Sequence, residues 1–199
     1  MHSAYDSATS FASECAREVK MFLLKTEFEI SEFFGVDACV EKVHGHMQFS
    51  LSEVQGFLNY GHGNKQTIFG NNGEVLFDIS SAGLLKNKIC YVLACSAAKV
   101  LGKEIVGNGG ICFLGFNEDF TYSTSHENLF KVCVNSGIKA MIFEKMTIGE
   151  AYERMRETFD QTIVKVVSTA GIYNWLVTVF LREDKNCLEL IGDSNASLR

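Results

Sequence analysis

The sequence predicts an α/β fold with a mainly parallel sheet, and three observations lead there. Apolar runs of strand length alternate with stretches of helical periodicity along the chain. Two of the runs, Ile89 to Cys95 and Ile111 to Phe116, are apolar almost throughout, as strands buried on both faces are. At 199 residues, 47% hydrophobic and 21% charged, the chain has the length and composition of one soluble domain with a single main core.

The elements follow in order. From about Ser7 to Lys25, Phe11, Cys15, Val19, Phe22 and Leu23 recur at helical spacing among charged residues. Phe28 to Phe34 alternates and reads as a strand that stops at Gly35. Val36 to Met47 reads as a short helix, and Val54 to Tyr60 as a strand running into Gly61-His62-Gly63-Asn64. Thr67-Ile68-Phe69 and Val75-Leu76-Phe77 flank a Gly/Asn turn and form a hairpin. Ser80 to Lys86 reads as a short helix capped by Ser80 or Ser81. After the strand Ile89 to Cys95 a helix is expected from about Ala97 to Val106, ended by Gly107-Asn108-Gly109-Gly110 before the strand Ile111 to Phe116. Asn117 to Glu127 is a polar loop. Asn128 to Ser168 is helical, with a break near Met146 to Gly149. Trp175 to Leu181 and Leu188 to Ile191 are expected as a terminal strand pair joined by Arg182 to Asn186. The domain thus divides into an N-terminal helix, strand and helix (1–50), a central part (51–125), and C-terminal helices with terminal strands (126–199).

Composition narrows the function classes. The formal net charge is -6, and no basic run with interleaved aromatics occurs, so direct nucleic-acid binding is not expected. No apolar run approaches the ~18 residues of a membrane span. The start, Met1 to Asp6, has neither a basic nor an apolar segment of a signal peptide. Seven cysteines without C-x-x-C spacing read as reduced thiols, which implies a cytoplasmic location. Proline is absent, so no linker is proline-rich. His44-Gly45-His46 has no partner at zinc-ligand spacing, and no metal or other cofactor is expected. Gly107 to Gly110 precedes a strand, where a phosphate loop would precede a helix. Glu150, Glu153, Arg154, Arg156 and Glu157 read as a solvated helix face.

Two reactive residues fall at carboxyl ends of strands, where open parallel sheets gather their active groups. His62 follows Tyr60, and Cys95 closes the run from Ile89. The hairpin and short helix between them suit a crossover between neighbouring parallel strands, which brings an imidazole and a thiol to one edge. An imidazole can deprotonate a thiol or stabilise its thiolate, and the helix expected after Cys95 would add a favourable field. Cys90, Cys112, Cys133 and Cys187 read as core residues.

Tyr60-Gly61-His62-Gly63 followed by Leu93-Ala94-Cys95-Ser96-Ala97 resembles the paired His-Gly and Ala-Cys signatures of caspase-fold cysteine peptidases, nearest to CHAT domains and gingipain-like enzymes. Val106 to Phe116, Ile148-Gly149-Glu150-Ala151 and Leu190-Ile191-Gly192-Asp193 are similar to later segments of that family, with Ser194 where proline is usual. The resemblance covers about Val54 to Leu198. It implies a caspase-like α/β/α sandwich whose first strand is missing, since no apolar strand precedes Ser7. It implies His62 as base and acid, Cys95 as nucleophile, and the Gly63 and Cys95 N–H groups as an oxyanion hole. The implied reaction is hydrolysis of a protein or peptide through a thioester. Glu118 and Asp119, after the strand ending at Phe116, suggest a pocket for arginine or lysine before the cleaved bond, with Asp119 favoured. By analogy with multidomain relatives, a regulatory partner chain or domain is implied as well. Two other readings stand beside the peptidase: an inactive caspase-fold docking or assembly module, and a doubly wound ligand-binding domain.

Overall fold

Strands and helices alternate through the middle of the chain and give way to helices near its end. A computed structural model describes residues 7–49 and 55–198. Its elements are α1 (Ser7–Leu23), α2 (Val40–Phe49), β1 (Gly56–Tyr60), β2 (Gly63–Asn64), β3 (Thr67–Phe69), β4 (Val75–Asp78), β5 (Ile89–Leu93), α3 (Leu101–Gly107), β6 (Cys112–Phe116), α4 (Glu127–Phe143), α5 (Ile148–Ser168), α6 (Asn174–Cys187) and β7 (Leu188–Gly192). Met1 to Asp6 and Val54 lie outside the described residues.

The main sheet has the order β1-β5-β6-β7. Its first three strands are parallel, and β7 closes the far side antiparallel to β6. A smaller antiparallel sheet, β2-β3-β4, branches off where β1 ends. β5 and β6 are the inner strands and every residue in them is buried, which is why both read as unbroken apolar runs.

Side-chain alternation divides the core in two. Tyr60, Tyr91, Leu93, Leu114 and Phe116 face α1, α4, α5 and α6. Phe57, Cys90, Val92, Ala94 and Phe113 face α2, α3 and the small sheet. Polar side chains tie the first layer together. The Tyr91 hydroxyl donates to the Val134 carbonyl at 2.7 Å, and Asn135 of α4 donates to the Cys15 carbonyl at 3.1 Å, tying α4 to α1. The expected break in the helical region is a true boundary: Thr147 caps α5 in a reciprocal box with Glu150. The first two α5 N–H groups, Ile148 and Gly149, donate to the Ala196 and Ser194 carbonyls at 2.8 and 2.9 Å.

Four expectations change. Phe28 to Phe34 is not a strand: Phe28, Ile30 and Phe33 are half-buried and Glu29 and Ser31 exposed, but no neighbouring strand offers a ladder. Its alternation records an extended strap over the surface. Trp175 to Leu181 is helical. β-Branched and aromatic residues favour a strand there, but packing against α5 overrides the local preference, with Val177, Thr178, Leu181, Asp184 and Cys187 as the buried stripe. Only Leu188–Gly192 of the expected pair is a strand. The helix after Cys95 begins at Leu101, because residues 96–100 form turns bonded to the end of β6 and to the small sheet. Ser81 precedes the short 3-10 helix Ala82–Leu85 without capping it; the Asp78 carboxylate instead accepts from the Ser80 and Ser81 N–H groups.

Candidate functional site

His62 and Cys95 leave neighbouring parallel strands at equal depth. Tyr60 pairs with Leu93 at the last register position of β1 and β5, and each residue of interest lies two positions further on. Paired strands lie about 4.8 Å apart. Both strand ends continue the side facing α6, since Tyr60 and Leu93 belong to that layer. The helix field expected at Cys95 is absent there, because α3 starts six residues later and is only seven residues long.

The His62 side is a turn held between two sheets. The Gly61 N–H donates to the Leu93 carbonyl, and the Phe69 N–H to the His62 carbonyl, each at 3.0 Å. Hydrogen-bonded and non-bonded pairs alternate in an antiparallel ladder, so Gly63 falls in a non-bonded pair and its N–H points away from β3. A side chain at Gly63 would bring a Cβ within 2.9 Å of Ala94 Cβ and 3.0 Å of the Thr67 carbonyl. Close approach of this turn to the Cys95 segment therefore requires glycine. His62 itself is exposed.

The Cys95 side is a shelf bonded in two directions. Ser96, with φ of 56°, turns the chain out of β5. The Ser96 N–H donates to the Glu118 carbonyl at 2.9 Å, Ala98 to Phe116 at 3.0 Å, and Leu101 to Lys65 at 2.9 Å. Cys95 is half-buried. Burial raises its thiol above the ordinary range, Phe120 N–H bonding to the sulfur opposes this, and Asp119 and Asp184 add to the rise. The four expected core cysteines, Cys90, Cys112, Cys133 and Cys187, are all buried.

Glu118 and Asp119 both lie exposed beside this shelf. Glu118 pairs with Lys99 at 2.6 Å, and Asp119 accepts from the Ser96 hydroxyl at 2.9 Å. On the other side of Ser96, Asn64, Lys65, Gln66, Ser96 and Lys99 line a shallow groove of about 410 Å³. Lys99 belongs both to this groove and to the ion pair with Glu118, so acidic and basic groups sit side by side next to the Ser96 turn.

No family model matches this chain, and neither a curated protein nor a solved structure matches it. Among the described residues no helix is long and apolar enough to cross a membrane, and no group of three His, Cys, Asp or Glu could hold a metal ion. The His44 ring hydrogen-bonds the Leu76 carbonyl at 2.6 Å and packs against Phe77.

The sequence reading missed what lies beneath the shelf. The loop carrying Glu118 and Asp119 rests on the end of α6. The Asn117 N–H donates to the Cys187 carbonyl at 2.8 Å, the Glu118 N–H bonds the Cys187 sulfur, and the Thr121 N–H donates to Asp184 at 2.9 Å. Asp184 could have been found from the stripe Val177, Leu181, Asp184, Leu188, but only once that segment was read as a helix.

Proposed function

We propose that the chain is a cysteine endopeptidase of caspase-like architecture, with Cys95 as nucleophile and His62 as its base and acid. The observation that carries this reading is the shared register: Tyr60 opposite Leu93, with the imidazole and thiol residues each two positions on. Helices on both faces of a mainly parallel sheet suit the same architecture. In the reaction the Cys95 sulfur attacks the substrate carbonyl carbon, and the oxyanion is met by the Gly63 and Cys95 N–H groups. The C–N bond breaks as His62 gives its proton to the leaving amine. Water then hydrolyses the thioester, with His62 as base.

The substrate is a protein or peptide cut after arginine or lysine. Asp119, next to the Cys95 shelf and exposed, supports a basic residue there, while Glu118 is drawn toward Lys99. The lysine-lined groove suits an acidic side chain elsewhere in the same substrate. One observation favours a second reading, an inactive docking module or an enzyme that waits for a partner: burial holds the Cys95 thiol above its ordinary range, so little thiolate exists at rest. Labelling with acyloxymethyl ketone probes of varied first residue separates these readings. Cys95 modified by arginine or lysine probes supports the peptidase. Refusal of every probe supports the docking module.

A further inference from the structure

Asp184 is a fully buried carboxyl with one role accounted for and one oxygen without a hydrogen-bond partner among the described residues. Oδ1 accepts the Thr121 N–H at 2.9 Å. The same loop reaches the turn after Cys95, where the Glu118 carbonyl accepts the Ser96 N–H and the Asp119 carboxylate accepts the Ser96 hydroxyl, each at 2.9 Å. The Phe120 ring is packed between Phe11, Phe116 and Phe130, at centroid distances of 5.8, 5.0 and 6.4 Å. One short loop is therefore held by an α6 carboxyl and in turn holds the residue that follows the candidate nucleophile.

We propose that Asp184 is a positioning residue for Cys95: through the Thr121 N–H it fixes the 117–121 loop, whose Glu118 carbonyl and Asp119 carboxylate hold Ser96 and so the turn that presents Cys95. This rests on Cys95 being the nucleophile of the reading above, but its test needs no substrate. Removing the acceptor leaves the part-buried Thr121 N–H without this partner, which frees the loop to move. Charging the carboxyl works against the Cys95 sulfur, since two negative groups in one buried site repel. The titratable groups around Asp184 are the thiols of Cys95, Cys133 and Cys187 and, on its own helix, Glu183. Burial pushes Asp184 up to about 8, so the carboxyl is neutral at neutral pH and charges where thiols ionise.

The experiment follows Cys95 alkylation by iodoacetamide from about pH 6 to about pH 10, resolved by mass spectrometry of the Cys95 peptide. Amide exchange of residues 117–121 is measured beside it. Asp184→Asn keeps the acceptor and cannot charge: loop exchange should stay as in wild type, and the Cys95 midpoint should fall by about half a pH unit or more. Asp184→Leu removes the acceptor: loop exchange should rise about tenfold or more while β5 stays protected. Asp184→Leu exchange equal to wild type overturns the proposal, as does a rise in Asp184→Asn as large as in the leucine variant. Should the leucine variant fail to fold, Asp184→Ala, which also lacks the acceptor, is read at the same amides.

Discussion

The two strand ends that carry His62 and Cys95 are built differently. At His62 the chain passes from the large sheet to the small one, and the imidazole stands exposed on a turn whose backbone is bonded to both sheets. At Cys95 the chain is half-buried and bonded both to the end of β6 and to the small sheet, and its sulfur meets a loop that itself rests on α6. One side is set by backbone pairing and the need for glycine. The other is set by tertiary contacts among residues up to 89 positions apart, from Cys95 to Asp184. On the proposed reading Cys95 is the nucleophile, for which small errors in geometry are costly, and the more constrained side would then be the one where constraint matters more.

The comparison breaks most sharply at the two residues themselves. Cys95→Ala and His62→Ala should each lower cleavage by roughly a thousandfold or more, since a nucleophile and its base act as a unit. Melting curves should change little, as neither residue is in the buried core. Activity retained in Cys95→Ala but lost in Cys90→Ala would move the nucleophile to the interior of β5 and end the comparison.

The next largest effect tests how closely the turn and the shelf approach. Gly63→Val places new atoms against Ala94 and the Thr67 backbone, where little can give. It should cost about 1–3 kcal/mol in thermal unfolding and abolish probe labelling. A stable, active Gly63→Val would show that the two strand ends are less tightly joined.

A third prediction concerns pH. Burial raises Asp184 from 3.8 to about 8. Between those values the folded chain keeps a proton that the unfolded chain has released, so stability falls as pH rises through that window and levels off above it. The slope is at most about 1.4 kcal/mol per pH unit. Asp184→Asn should therefore melt above wild type at pH 8 and match it near about pH 4. Equal melting at both values would mean that the carboxyl is solvated and the Cys95 side no more closed than the His62 side.

The smallest effect separates the two carboxylates beside the Cys95 shelf. Asp119→Asn should lower turnover of arginine substrates about tenfold, or about 1.4 kcal/mol. Lys99→Gln, which releases Glu118 from its ion pair, should change it by less than about threefold, as an exposed pair is weak. Cleavage after aspartate by the wild type would transfer the specificity role to the lysine side while leaving His62 and Cys95 in place.

Most of this contrast was legible in local pattern, and the remainder was not for a physical reason. The run ending at Cys95 announces its strand because an inner parallel strand is apolar on both faces, whereas the run ending at Tyr60 forms β1 at the end of the described sheet. The Gly/Asn turn announces the hairpin through its backbone demands. Glycines around His62 mark the close approach that the small sheet makes. Asp184, by contrast, depends on α6 being a helix, and its residues were ambiguous: Trp175 to Leu181 has strand composition and only the contact with α5 decides it. The Phe120 and Thr121 N–H groups are invisible to any side-chain pattern, since every non-proline residue carries that donor.

Finally, β7 lies at the end of the chain yet completes the sheet started by β1, and this has a cost in time. β6 ends at Phe116 and its outer partner ends at Gly192, 76 residues later. At roughly 5–20 residues per second on a ribosome, the open side of β6 waits about 4–15 s for its neighbour to be made. During that interval Cys112–Phe116, wholly buried in the finished fold, presents an apolar edge able to pair with another nascent chain. The same late segment supplies the Ser194 and Ala196 carbonyls to the start of α5, so synthesis past Ala196 both seals the sheet and finishes that helix. A ribosome stalled near residue 187 should hold a chain that aggregates more readily than one stalled past Arg199, once each is fully clear of the exit tunnel.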